Sequence, residues 1–296
     1  MLTLQEILNK PEPILVIYHE GCMDGFGAAY FAWKVLGDKA TYTPKQYGSL
    51  LDGLPSGKLS IIMLDVSFPK DIMEMVAADH NLVVLDHHKT AKEALAGADY
   101  ALFDMNKSGA KLAQEYFQPP LSPDQWDLAD YLQDRDLWQW KLDGSREFSA
   151  ALQSYDFDFD VWGKLSVLDL VKEGCAITRL IQQQVQRIIA RTYKCDYNGT
   201  PGMIVNSPIF QSETGEALLA KYPDIKFASI FYENEVREQV FSLRSRSIGG
   251  KPELDVSVIA KEMGGGGHPN AAGFKVSPKV EEEVVSEPAA SAAVAT

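Results

Sequence analysis

Three short apolar runs, each leading into an acidic residue, constrain this chain more than any other feature: Ile14-Leu-Val-Ile-Tyr18, Ile61-Ile-Met-Leu64 and Leu82-Val-Val-Leu85. Their length and Val/Ile content predict β-strands. Each precedes a polar or glycine-containing loop and then a helical pattern, as over residues 27–36 and 70–79. Near-continuous apolar strands alternating with helices predict a parallel sheet covered on both faces. Ligands of such sheets sit beyond the carboxyl ends of the strands. Here those ends carry chemistry. Asp24 follows the first strand in His19-Glu-Gly-Cys-Met-Asp24, Asp65 closes the second, and Asp86 closes the third ahead of His87 and His88. An aspartate after one strand is ordinarily a turn residue or a helix cap. Three in series, accompanied by imidazoles, point instead to a metal site. Carboxylate and imidazole suit Mn2+, Fe2+ or Zn2+, and carboxylate-rich sets lean toward Mn2+ or Mg2+. Two ions about 3.5–4 Å apart can clamp a phosphoryl group; Asp65, on the middle strand in sequence, is the candidate bridge.

The net charge of -13 limits what such a site can serve. Long duplexes gripped by their backbone call for a basic surface. A small phosphorylated substrate remains compatible, because bound divalent ions supply positive charge locally. No apolar run approaches the roughly 18 residues of a membrane span. The start MLTLQEILNKPEP lacks the basic and apolar regions of a signal peptide. Cys22, Cys175 and Cys195 form no CxxC pair, and a cytoplasmic, reducing setting is expected.

A length of 296 residues predicts two domains. The first is expected over residues 1–165. A helical linker over 166–194 would bury Ile177, Leu180, Ile181, Val185, Ile188 and Ile189, with Ser166 and Asp169 as a capping pair. A smaller domain over 195–276 contains the strand patterns 202–206, 227–232 and 239–243, and the aromatic-free tail 277–296 is expected to be disordered. The alternating aromatic and acidic residues 155–162 read as a packed edge or loop, and Trp126, Trp138 and Trp140 as packing residues.

Two further strings bear on the site. In Gln133-Asp134-Arg135-Asp136, one aspartate could complete a metal shell while Arg135 satisfies the other. Gly264, Gly265, Gly266 and Gly267, followed by His268, form either a hinge or a cradle whose bare N–H groups approach an anion. Arg244 and Arg246 lie just upstream, with guanidinium groups suited to phosphate.

Asp86-His-His88, with acidic motifs before and after it, resembles the signature of the DHH phosphoesterases. Ser242-Leu-Arg244-Ser245, followed by residues 255–273 with their glycine run and His268, resembles that family's DHHA1 substrate domain. The likeness covers nearly all of the chain except the tail. It implies an α/β fold: an N-terminal parallel-sheet, Rossmann-like DHH domain plus a smaller α/β DHHA1 domain, joined by a helical linker. It implies two divalent ions, Mn2+ foremost, with Zn2+, Fe2+, Co2+ or Mg2+ as alternatives. The implied ligands are His19, Asp24, Asp65, His87 and Asp134, with Asp136 kept open. His88 would lie near the scissile phosphate and Asp86 would orient the histidines. Arg244 and His268, with the backbone of Gly264, Gly265, Gly266 and Gly267, would bind a terminal phosphate.

One position departs from the family's pattern. Cys22 stands where a further aspartate is usual, either as a thiolate ligand favouring softer ions or as a small buried residue. The expected activity is metal-dependent hydrolysis of short oligonucleotides or dinucleotides to nucleoside monophosphates. Alternatives are a RecJ-like single-strand exonuclease, an exopolyphosphatase or pyrophosphatase, and a non-catalytic nucleotide sensor. The expected partner is a short phosphorylated nucleotide, not long duplex nucleic acid or a membrane; a homodimer is an open possibility.

Overall fold

Strands that are apolar on both faces need cover on both, and the N-terminal half supplies it. The computed structural model describes residues 1–46 and 54–277; beyond Ser277, the tail expected to be disordered lies outside the described residues. Five strands, β1 (Ile14–His19), β2 (Ala40–Lys45), β3 (Ser60–Leu64), β4 (Asn81–Asp86) and β5 (Ala101–Phe103), form a sheet in the order β2-β1-β3-β4-β5. Every pairing in it is parallel. The helices of this half are α1 (Leu4–Leu8), α2 (Met23–Leu36), α3 (Lys70–Asp79), α4 (Lys89–Ala94), α5 (Gly109–Phe117), α6 (Leu128–Asp136), α7 (Ser145–Leu152) and α8 (Phe159–Trp162). One face of the sheet packs Ile62, Leu64, Val83 and Leu85 against Phe26, Tyr30, Phe31 and Phe148. The other packs Ile61, Met63 and Val84 with Phe68 and Met73. Each such side chain contributes about 1.5–3 kcal/mol on burial, which fixes the sheet between its helical layers.

Register turns this core into a positioning device. Tyr18 pairs with Leu64, and Leu64 with Leu85. The next residue on each strand (His19, Asp65, Asp86) therefore stands level with the others on three adjacent strands. β3 lies between β1 and β4, so Asp65 is central in space as well as in sequence.

Helix α9 (Val167–Ile189) leads to the second sheet. Ser166 caps it, its hydroxyl accepting from the Asp169 N–H. The helix crosses α7 so closely that a Cβ on Gly174 would lie 1.8 Å from the Glu147 carbonyl oxygen. Ile181, Val185 and Ile189 are buried against the second half, but Leu180, expected on the same stripe, is 54% exposed. One residue is a 100° step, which turns Leu180 away from the buried face.

The second half holds β6 (Tyr193–Tyr197), β7 (Thr200–Asn206), α10 (Gln211–Lys221), β8 (Phe227–Glu233), β9 (Gln239–Arg244), the hairpin β10 (Ser247–Ile248) and β11 (Lys251–Pro252), α11 (Val256–Glu262), β12 (Gly266–His268) and β13 (Ala271–Val276). Its six-stranded sheet runs β12-β13-β9-β8-β7-β6, with β7 and β8 parallel and the other pairs antiparallel. The glycine run is ordered backbone rather than a hinge. Gly264 turns at φ +82° after α11, and Gly266 and Gly267 belong to strand β12. A Cβ on Gly265 would lie 2.0 Å from the Gly273 carbonyl oxygen, so β12 can approach β13 only without a side chain there.

The aromatic-acidic stretch is packing: Phe157 and Phe159 stack on Phe26, and Trp162 is fully buried. Trp126 is not core, being 62% exposed with its indole N–H donating to the Leu121 carbonyl. No helix among the described residues is long and apolar enough to cross a membrane.

Candidate metal centre

Asp65 is the hub. It leaves β3 with φ +58°, a left-handed conformation that aspartate tolerates better than most residues. Its N–H donates to the Leu85 carbonyl, which ties the turn to β4. The side chain is buried. Oδ2 lies 3.3 Å from His19 Nδ1, and Oδ1 lies 3.1 Å from His87 Nε2 and 3.8 Å from His88 Nδ1. Asp86 works on the histidines from behind. Its Oδ1 accepts from the His87 N–H at 2.6 Å and the His88 N–H at 3.1 Å, and lies 2.7 Å from His88 Nδ1.

Asp24, in the first turn of α2, is held from a distant part of the chain. The N–H groups of Gly109 and Ala110 donate to its two oxygens at 2.6 and 3.1 Å, so the start of α5 grips the carboxylate. Asp24 Oδ2 is 3.7 Å from His87 Nε2. Gly109 is required by space: its Cβ would lie 2.5 Å from Asp65 Cβ and 3.0 Å from Asp24 Oδ2. Sequence reasoning missed this residue, and only an unoccupied Cβ position betrays it.

At the end of α6 the structure selects between two aspartates. Asp134 accepts from the N–H groups of Lys141 and Leu142 at 2.9 and 3.1 Å, pinning the following loop. Asp136 points the other way, 3.5 Å from His87 Nε2. The carboxylate that joins the cluster is therefore Asp136, and Asp134, expected as the ligand, is consumed by backbone. From the second half, His268 places its ring centroid 4.8 Å from that of His87 and 4.7 Å from that of His88. Three sets of donor atoms each lie within 4.8 Å of one another: Asp24, His87 and Asp136; His19, Asp65 and His88; His87, His88 and His268. Cys22 borders the same cleft but belongs to none of these sets.

The electrostatics are those of crowded buried charge. Burial, then Asp136 and Asp65, push the Asp24 carboxyl up to about 8. Burial opposes ionisation of Asp65, yet hydrogen bonding to His19 and His87 holds it well below the ordinary carboxylate range. Burial would lower His87, but Asp136, Asp65 and Asp24 raise it well above the usual imidazole value. His268 goes the opposite way, to about 3, through burial and then the neighbouring His88 and His87. Burial, followed by Asp65, Asp136 and Asp24, raises the Cys22 thiol well above its usual value. Asp86 Oδ2 is buried without a hydrogen-bond partner among the described residues. Carboxylates crowded together with such an orphaned oxygen are costly alone and well suited to divalent cations. The donor set therefore fits the metal chemistry that the sequence suggested.

The second sheet supplies the opposite wall. Ala271 on β13 pairs with Arg244 on β9 and with His268 on β12, so arginine and histidine flank one small residue in a single row. Arg244 donates to the Leu243 carbonyl and to Ser212 Oγ, both at 2.8 Å. Burial, then Arg135, lower its guanidinium to about 10. Arg246 borders the same cleft, but its guanidinium is engaged by the protein itself. It donates to the carbonyls of Leu219, Tyr222 and Ile225 near the end of α10 and pairs with Glu253. Gly264, Gly265, Gly266 and Gly267 line a cavity of about 680 Å³ on one side of the centre, and Arg135 and Trp138 border one of about 480 Å³ on the other. His19, Asp65, His88, Arg244 and His268 border both. Ion pairs tie the two walls together: Lys89 to Asp255 at 2.6 Å, and Arg146 to Glu216 at 2.7 Å.

No protein-family model matches the chain. An uncharacterized protein of Acanthamoeba polyphaga mimivirus is 33% identical over 297 residues, spanning 92% of this chain and 69% of the viral protein. The chain belongs to that protein's family. Among solved structures, a pGpG-specific phosphodiesterase from Vibrio cholerae aligns over 90% of this chain and 94% of its own, with a TM-score of 0.48 and 14% identity. An uncharacterized protein from Helicobacter pylori G27 aligns over 90% and 93%, with a TM-score of 0.39 and 15% identity. At these scores neither likeness assigns an activity to the chain.

Proposed function

We propose that this chain is a metal-dependent phosphodiesterase of the DHH type that hydrolyses short oligonucleotides or dinucleotides to nucleoside monophosphates. The observation that carries this reading is the meeting, in one cleft, of the level row His19, Asp65 and Asp86 with the opposed row Arg244 and His268. His19, Asp24, Asp65, His87 and Asp136 would hold two divalent cations, with Mn2+ favoured by the carboxylate-rich donor set. When bound, such cations supply Lewis acidity and neutralise charge at a phosphoryl group. Asp86 fixes the imidazole of His88 by accepting from Nδ1, which leaves Nε2 as an acceptor in the neutral ring and as a donor toward a substrate oxygen only when the ring is protonated. Arg244 offers a planar guanidinium to a phosphate. In the glycine run, the N–H groups of Gly264 and Gly265 are spent on the Lys261 and Ala260 carbonyls, so only the bare backbone of Gly266 and Gly267 would approach the same anion.

Two observations favour a short substrate. A cavity of about 480 Å³ lies within the range of small-ligand sites, roughly 300–1,000 Å³. The net charge of -13 opposes extended polyanions.

The deciding experiment is incubation of the purified protein with Mn2+ and, in parallel, pGpG, pApA, a 24-mer and polyphosphate. Monophosphate release that falls steeply with chain length supports the proposal. Preferential turnover of the 24-mer would make it an exonuclease on long strands, and turnover of polyphosphate alone would make it a polyphosphate hydrolase. Tight nucleotide binding with no turnover of any substrate would sink the enzymatic reading in favour of a nucleotide sensor.

A further inference from the structure

Arg135 occupies the last turn of α6, between two aspartates, where the sequence suggests a simple counter-ion. The structure gives it other surroundings. Its guanidinium lies 4.6 Å over the Trp138 ring centroid. Its Nε is buried with no hydrogen-bond partner, and no ion pair to a carboxylate within 4.0 Å involves it among the described residues. It lines the same cavity as Arg244, whose hydrogen-bond partners are the neutral Leu243 carbonyl and Ser212 hydroxyl. The backbone beneath is strained to hold this arrangement. Trp138 and Trp140 adopt φ +54° and +53°, a left-handed conformation unusual for bulky residues, and their rings meet edge to face at 4.7 Å. Trp138 keeps its N–H on the Arg135 carbonyl at 3.1 Å, so the tryptophan and the arginine it supports form one unit.

Two guanidinium groups facing one cavity repel each other, and neither arrangement stabilises the fold through an ion pair. With cations neutralising Asp65 and Asp136, the pair becomes the positive end of the cleft. The phosphodiester next to the cations would need only one of them. We propose that Arg135, held flat by Trp138, is a second phosphate-binding guanidinium that works with Arg244 to grip a terminal phosphomonoester, so that the cleft selects 5′-phosphorylated substrates over unphosphorylated ones. This selectivity rests on the phosphodiesterase reading; the anion site itself does not. Arginine is the suitable residue because its fork binds phosphate oxygens in pairs, whereas lysine offers a point charge.

The test compares the full-length wild type with Arg135→Gln and Arg135→Lys, each checked by thermal melting and for metal content. Calorimetric titration of the Mn2+-loaded protein with AMP, which contains no phosphodiester to hydrolyse, and separately with adenosine, measures the anion site without turnover. The wild type should bind AMP in preference to adenosine. Arg135→Gln should weaken AMP binding about tenfold or more, and Arg135→Lys should recover part of that loss. With Mn2+, Arg135→Gln should raise KM for pApA by a larger factor than it raises KM for ApA. Equal AMP affinity in wild type and Arg135→Gln would overturn the proposal, as would a wild type that does not distinguish AMP from adenosine. Loss of metal with AMP binding intact would also overturn it, making Arg135 a counter-ion of Asp136. If AMP binding depends on Arg135 but no dinucleotide is hydrolysed, the phosphodiesterase reading fails and the anion site stands.

Discussion

At the end of the first sheet, His19, Asp65 and Asp86 stand level because three parallel strands stop in register. On the second sheet, Arg244 and His268 also stand level, but within the ladder, as a row across the sheet with Ala271 between them. The first row projects past its sheet into a buried pocket closed by α5, and its partners all lie in the same half. The second row lies partly exposed on its own sheet, where Arg244 already bonds to Leu243 and Ser212, and His268 meets His87 and His88 of the first half. Packing of one sheet thus assembles the candidate metal ligands, whereas the row proposed to bind phosphate meets them only while the two sheets stay in place. Their securing contacts differ accordingly: a hydrophobic core on one side, and the pairs Lys89–Asp255 and Arg146–Glu216 across the cleft.

The largest effect should come from the hub of the first row. Asp65→Asn preserves shape and tolerance of the left-handed backbone while removing the charge. Outer-shell substitutions at metal sites cost about 10–100-fold, so this one should reduce pApA turnover by at least about 100-fold and deplete bound metal. Melting should show an intact fold. Full activity in the variant would remove Asp65 from its central role.

A smaller effect, confined to the second row, is expected of Gly265→Ala. The added methyl must displace β12 from β13, at a cost of about 1–3 kcal/mol for overpacking. Substrate affinity should fall as His268 moves, with metal content unchanged. A parallel loss of metal would show that the two rows are not independent.

The smallest effect belongs to the junction. Lys89 and Asp255 are 34% and 28% exposed, so Asp255→Asn should cost only about 0.2–1 kcal/mol. Melting at low and high salt would check it: the difference from wild type should shrink as salt screens the pair. A loss several times larger would mean that the junction, rather than either core, controls stability.

The apolar strands were legible because burial on both faces writes itself as unbroken Val, Ile and Leu. β2, with its polar Ala-Thr-Tyr-Thr-Pro-Lys sequence, and the three-residue β5 were not, because edge strands lack that signature. The acidic strand ends and the glycine-histidine string were visible for the same local reason. The choice between Asp134 and Asp136 was invisible, since it depends on which carboxylate the 141–142 backbone captures. So was the separation of Arg244 from Arg246, whose guanidinium the carbonyls of a helix end occupy.

By itself, then, the sequence determined the alternation of strand and helix, the acids and imidazoles at three strand ends, and the bare backbone ahead of His268. These are properties of neighbouring residues, and short-range sterics and hydrophobic pattern express them. Tertiary structure alone decided that Gly109 and Ala110 clasp Asp24 from 85 and 86 positions away, that Asp136 joins His87, and that Arg135 shares a cavity with Arg244. Each of these depends on distances between distant segments, and packing fixes such distances only once the whole chain has folded.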